Sequence, residues 1–109
     1  MCLRIRSCLR GLRGVDESNL ESAFEIFHSC GSTRKRVLVL KRLAVVGESS
    51  IGKLLSFLGM PRSGGSYLNV LKYFRELECK GLLVCCERNG RFFWRFDSEF
   101  EDFRNFMKF

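Results

Sequence analysis

Between Ser49 and Phe96 the stop and start signals fall in the order helix, turn, longer helix, tight hairpin, and that order constrains the fold more than any other feature. Ser49 and Ser50 offer a hydroxyl cap ahead of Ile51, Leu54, Leu55 and Leu58, which recur at helical spacing. Gly59 ends this helix, because glycine tolerates the left-handed backbone at a helix C-terminus, and Met60-Pro61 follows with a residue that cannot extend the ladder. After Arg62-Ser63-Gly64-Gly65, Ser66 is the expected cap of a helix running to about Lys80. Val70, Phe74 and Leu77 form its apolar stripe, with Leu71 beside it. Gly81 closes that helix. Leu82 to Cys86 has strand chemistry, Asn89-Gly90 is a strong hairpin signal, and Phe92, Trp94 and Phe96 alternate with Phe93 and Arg95. The predicted two-stranded ribbon carries Arg88 and Arg91 at its tip.

The arrangement resembles the winged helix-turn-helix DNA-binding domains of small prokaryotic, archaeal or viral transcriptional regulators. The resemblance rests on Ile51, Leu54, Leu58 and Gly59 in the first helix, and on Phe74, Leu77, Gly81, Leu82 and Leu83 at the end of the second. It covers under half of the chain, or roughly 65 residues with the preceding helix. The path from Gly59 to Gly81 is several residues longer than usual in such families, so either the turn is expanded or the second helix has an extra turn. The resemblance implies an α+β fold, a three-helix core with a two-stranded wing and extra N- and C-terminal helices. It further implies a sequence-specific binder of double-stranded DNA, a transcriptional regulator with its recognition helix in the major groove and its wing on the backbone or minor groove.

On that reading the DNA-binding candidates are Arg62, Ser66, Tyr67, Asn69, Lys72, Tyr73, Arg88 and Arg91. Asn69 matches the donor and acceptor pattern of adenine and Lys72 that of guanine. Arg62, with the free amides after Gly64-Gly65, would anchor a phosphate, and the two arginines of the hairpin tip suit phosphates or a narrow minor groove. The competing reading of each is a solvated surface, and of Tyr67 a partly buried ring.

A chain of 109 residues suits one core rather than two, and 46% hydrophobic content with 11 Phe supplies the material for it. No apolar run approaches the ~20 residues of a membrane span. Nineteen Lys and Arg against twelve Asp and Glu leave +7, a balance that favours polyanionic partners without naming one. The charge is segregated. Met1–Gly14 is a basic segment with four Arg and no acid, Val15–Cys30 holds Asp16, Glu17, Glu21 and Glu25 with no Lys or Arg, and Gly31–Val46 contributes Arg34, Lys35, Arg36, Lys41 and Arg42.

These features divide the chain into a basic N-terminal segment (1–14), a winged-helix domain with a preceding helix (15–96) and a C-terminal helix (97–109). The first segment reads as a phosphate-binding arm, an amphipathic surface helix on anionic lipid, or a frayed end. It lacks the uninterrupted apolar run of a secretory signal, so an intracellular, cytoplasmic location is expected. Asp16 or Ser18 caps a helix to about Ser29 with Leu20, Phe24 and Phe27 on one side and Ala23 and Ile26 adjacent. Thr33 to Val46 is the first helix of the core, although Val37, Val39, Val45 and Val46 weaken that assignment and its end competes with a short strand. Asp97-Ser98 caps a last helix with a Phe100, Phe103, Phe106 and Met107 stripe. Either the Leu20/Phe24/Phe27 helix or the Phe100/Phe103/Phe106 helix is a candidate homodimer surface. Packing on its own domain is the alternative for each.

Six cysteines include no Cys-x-x-Cys pair, and the single histidine, His28, lies two residues before Cys30, so no metal and no cofactor is expected. Adjacent Cys85 and Cys86 point to opposite faces of an extended strand, which lets at most one reach the core. Catalysis is not expected either. His28 beside Phe27 reads as a structural histidine, and no phosphate-cradling glycine motif is present. The leading alternatives to duplex DNA are a winged-helix protein-interaction module and an RNA binder that stacks bases on Tyr67, Tyr73 and Phe93.

Overall fold

A computed structural model describes residues 16–62 and 64–108; the basic N-terminal segment, with Cys2 and Cys8, lies outside the described residues. The fold is α+β: helix α1 (Asp16–Ser29), α2 (Arg34–Val46), strand β1 (Glu48–Ser49), α3 (Ile51–Phe57), α4 (Gly65–Cys79), β2 (Leu83–Arg88), β3 (Arg91–Phe96) and, after a 3₁₀ turn at Ser98–Phe100, α5 (Glu101–Met107).

Both glycine stops work by the same hydrogen-bond geometry. Beyond α3, Gly59 sits at φ 71°, its N–H donates to Ser56 O, and Met60 N–H reaches back to Leu55 O. Beyond α4, Gly81 sits at φ 91°, donates to Glu78 O, and Leu82 N–H reaches Leu77 O. Each is a left-handed cap that satisfies two terminal carbonyls and returns an apolar residue to the core. Leu82 is fully buried and Met60 packs at the core edge. Ser50 caps α3 as expected, accepting from Lys53 N–H at 3.3 Å. Ser66 does not cap α4. Gly64, at φ 72°, occupies that position, and α4 opens without a side-chain cap because Ser66 lies inside its first turn.

The valines of α2 do not break it. Val39, Leu40, Leu43 and Ala44 are buried, and packing of that stripe outweighs the weak helix preference of β-branched residues. The short strand competing with its end forms immediately after Gly47. Here the structure corrects the two-stranded expectation, because β1 adds to β3 and makes a three-stranded antiparallel sheet of order β1-β3-β2. Glu48 pairs with Arg95 and Ser49 with Trp94. Ser49, read from sequence as a cap, is the residue that completes the sheet. The β2–β3 register runs from Leu83 opposite Phe96 to Arg88 opposite Arg91. Asn89 and Gly90 both adopt positive φ, 53° and 76°, as a two-residue turn that preserves the strand twist requires.

The core lies between α4, the sheet and the other helices. Trp94 and Phe74 meet edge to face at 5.5 Å, and Tyr73, Phe74, Leu77, Leu40, Leu43 and Phe103 are fully buried. Helices α1 and α5 pack on each other. Phe24 meets Phe103 and Phe106 edge-on, each at 5.2 Å, and Phe27 meets Phe103 at 5.7 Å. The two candidate dimer stripes therefore cover one another within one chain, because each short helix buries its apolar face on the nearest one available. Phe106 alone of these phenylalanines keeps an exposed ring. Arg104 ties α5 to α2 by donating from Nε to Ala44 O at 3.0 Å, a cation satisfying a carbonyl at a helix C-terminus.

Candidate nucleic-acid interface

Helix α4 buries Val70, Tyr73, Phe74 and Leu77, which fixes the opposite side as outward. That outward side carries Leu68, Lys72, Arg75 and Cys79, all exposed and spaced four, three and four residues apart. Lys72 and Arg75 give it positive charge, and Leu68, at 63%, is the most exposed large apolar residue described. Arg75 leans toward the hairpin, with its guanidinium 5.7 Å from the Trp94 ring and 5.9 Å from that of Phe92. Glu76 and Glu78 confine negative charge to the C-terminal half of the helix.

Two clefts flank the start of this helix. On the hairpin side, Arg62, Tyr67, Gly90, Arg91 and Phe92 share a cleft of about 320 Å³ with Ser50, Ile51 and Gly52. Three of the sequence-predicted residues, Arg62, Tyr67 and Arg91, thus come together although 29 positions separate the first from the last. Arg62 lies against Gly52, where a Cβ would sit 3.7 Å from Nε. On the other side, a cleft of about 350 Å³ brings Ser66 and Asn69 beside Thr33, Arg34, Lys35 and Arg36 at the start of α2, over an apolar floor of Met60 and Val70.

Tyr73 requires a correction. Read from sequence as an outward contact, it is fully buried, and its hydroxyl lies 2.6 Å from Ser32 Oγ. Burial pushes its pKa up from 10.0 to about 12, against a smaller opposing effect of the Ser32 hydrogen bond. The remaining candidates, Arg62, Ser66, Tyr67, Asn69, Lys72, Arg88 and Arg91, reach the surface, Ser66 and Tyr67 only in part.

Arg88 and Arg91 stand directly opposite each other across the hairpin, an unfavourable like-charge pair. Glu48 relieves it by accepting from Arg88 Nη2 at 2.6 Å, which also holds the Arg88 pKa above its ordinary value, and the Arg88 guanidinium lies 4.6 Å from the Phe93 ring. Arg88 is therefore committed to β1 and Phe93, whereas Arg91 makes no hydrogen bond or ion pair among the described residues.

Sequence reasoning missed Leu68, Arg75 and the Arg34–Arg36 cluster as parts of this surface. The first two were findable, because residues 68, 72, 75 and 79 lie diametrically opposite the 70, 74 and 77 stripe. The third depends on how α2 meets α4, which no local pattern encodes.

Four free thiols are described: Cys30 is buried, Cys85 half-buried against the core, Cys79 and Cys86 exposed, so the opposite-face reading of Cys85 and Cys86 holds. Burial, then the Glu78 carboxylate, pushes the Cys85 thiol up. His28 is exposed and stacks at 6.2 Å on Phe24. Among the described residues no group of three or more His, Cys, Asp or Glu could hold a metal, and no helix is long and apolar enough to cross a membrane.

No family model, curated protein sequence or solved structure matches the chain.

Proposed function

We propose that the chain is a winged-helix protein that binds double-stranded DNA in a sequence-specific way and regulates transcription. The observation that carries this reading is the outward stripe of α4, with Leu68, Lys72 and Arg75, beside a hairpin whose tip shares a cleft with Arg62 and Tyr67. A helix is the element that fits a major groove about 12 Å wide, and cations on either side of it reach the phosphates that border the groove. Helix α4 supplies base-edge contacts from Leu68, Asn69 and Lys72. Arg62 and Arg91 take the backbone on the hairpin side, and Arg34 and Lys35 take it on the α2 side. Leu68 suits the methyl group of thymine, the apolar feature of the major-groove edge.

The test is fluorescence anisotropy with a random duplex. Arg62→Ala should weaken binding and reduce the magnitude of the salt slope by roughly one, and Lys72→Ala should weaken binding with little change in that slope. Unchanged affinity for both variants contradicts the reading.

A protein-interaction module is the second reading, favoured by exposed Leu38, Val45 and Val46 on α2 and by Phe57 on α3. Arg42 covers Phe57 with its guanidinium 3.4 Å from the ring centroid, which reduces that apolar patch. Stacking of RNA bases is less well supported, since Tyr73 is buried and Arg88 lies over Phe93.

A further inference from the structure

Resting on the duplex-DNA reading, we infer that Arg36 turns Asn69 into a donor-only reader of purine N7, with Arg36 as its positioning residue. Arg36 is held from three sides. Its Nη1 donates to Gly31 O at 2.8 Å, its Nε donates to Asn69 Oδ1 at 2.7 Å, and its guanidinium lies 5.3 Å from the buried Tyr73 ring. Gly31, at φ 68°, provides room for this, because a Cβ there would lie 3.3 Å from Nη1.

A guanidinium has only donors, so the group of Asn69 that faces it must be the carbonyl oxygen. The amide nitrogen Nδ2 is left with its two hydrogens and has no partner among the described residues. An unrestrained Asn pairs with adenine through both groups, accepting from N6 and donating to N7. Arg36 takes one of the two lone pairs of Oδ1 and seats its guanidinium on that side of the amide, which leaves Nδ2 as the group to meet the duplex, and purine N7 is the acceptor that guanine and adenine share. Thymine also carries an acceptor, O4, but at the position of N7 a pyrimidine presents C5 with its hydrogen or methyl group, so a donor seated there separates purine from pyrimidine without separating the two purines, in place of the adenine contact that the residue type of Asn69 suggests.

The experiment is selection of binding sites from a random duplex pool by the full chain and by Asn69→Ala, Asn69→Asp and Arg36→Met. Anisotropy on the selected duplex, with 7-deazapurine at the affected position, follows. The wild type should show one position where guanine and adenine are equivalent and pyrimidines or 7-deazapurines bind roughly five- to tenfold more weakly. Asn69→Ala should abolish that position. Arg36→Met should convert it to adenine and leave the other positions unchanged, a shift that a merely structural or phosphate-binding Arg36 would not produce. Asn69→Asp keeps an acceptor for Arg36 and should abolish the guanine preference and favour bases with an exocyclic amine donor, cytosine N4 or adenine N6; it tests the geometry if Arg36→Met does not fold. Uniform weakening by Arg36→Met, or a position that survives Asn69→Ala, overturns the inference alone. No duplex enriched by the wild type overturns the DNA reading together with it.

Discussion

Tyr73 Oη and Ser32 Oγ lie 2.6 Å apart, joining the middle of α4 to the turn between α1 and α2. Ser32 Oγ also donates to Phe27 O at 2.6 Å, so the tyrosine must supply the proton of the first bond and the relay runs Tyr73 to Ser32 to Phe27. The relay fixes the buried side of α4 against α1 and thereby fixes which residues α4 presents outward.

Alkaline titration of stability follows from it. The folded-state pKa of Tyr73, about 12, lies above the ordinary 10.0, so the unfolded chain releases its proton first. The contribution is intact below pH 10 and is lost as pH rises from about 10 through about 12, a loss of about 2 kcal/mol. Urea unfolding across that range checks it. Tyr73→Phe should lose about 1 kcal/mol at neutral pH, for the deleted hydrogen bond, and most of the alkaline slope.

Phe103 is fully buried among Phe24, Phe27 and Phe96. Phe103→Ala should cost about 3–5 kcal/mol, a large share of the stability of a domain this size, by leaving a cavity where α5 meets α1. Thermal melting measures it. A change below 1 kcal/mol would show that α5 does not dock as described.

Gly59→Ala isolates the cap of α3. A Cβ at Gly59 meets nothing within 4 Å, so the cost of about 1 kcal/mol comes only from holding alanine at φ 71°. Denaturant melts with an unchanged slope and a lower midpoint are the expected outcome.

The two hairpin arginines should differ. Glu48 holds Arg88 whereas Arg91 is uncommitted, so Arg91→Ala should remove about one unit of the salt slope and Arg88→Ala less. Salt titrations of duplex affinity for both variants decide it. Equal effects would mean that the Glu48 pair opens on binding.

Most of the fold around α3, α4 and the hairpin was legible, because Gly59, Gly81 and Asn89-Gly90 are backbone signals that act locally and kept their expected roles. The apolar stripe of α4 was legible for the same reason, and with it the direction of Lys72. What failed was long-range. Tyr73 lies about 60° around the helix from Val70, at the margin of the apolar stripe, and its hydroxyl is satisfied by Ser32, 41 positions away. The strand at Glu48–Ser49 is two polar residues long, too short for an apolar alternation in the sequence, so its pairing with β3 leaves no pattern to read. The facing of α1 and α5, the Arg36–Asn69 bond and the Glu48–Arg88 pair likewise join segments far apart in sequence.

The most direct measurement is the affinity of the purified chain for random duplex DNA, single-stranded DNA and RNA over a range of salt. Four cations, Arg34, Lys35, Arg62 and Arg91, border α4 and take the backbone, so duplex affinity should fall with a log–log slope of about −3 to −4 and exceed that for either other polymer. Equal affinity for all three polymers, or a duplex slope near zero, would contradict the account.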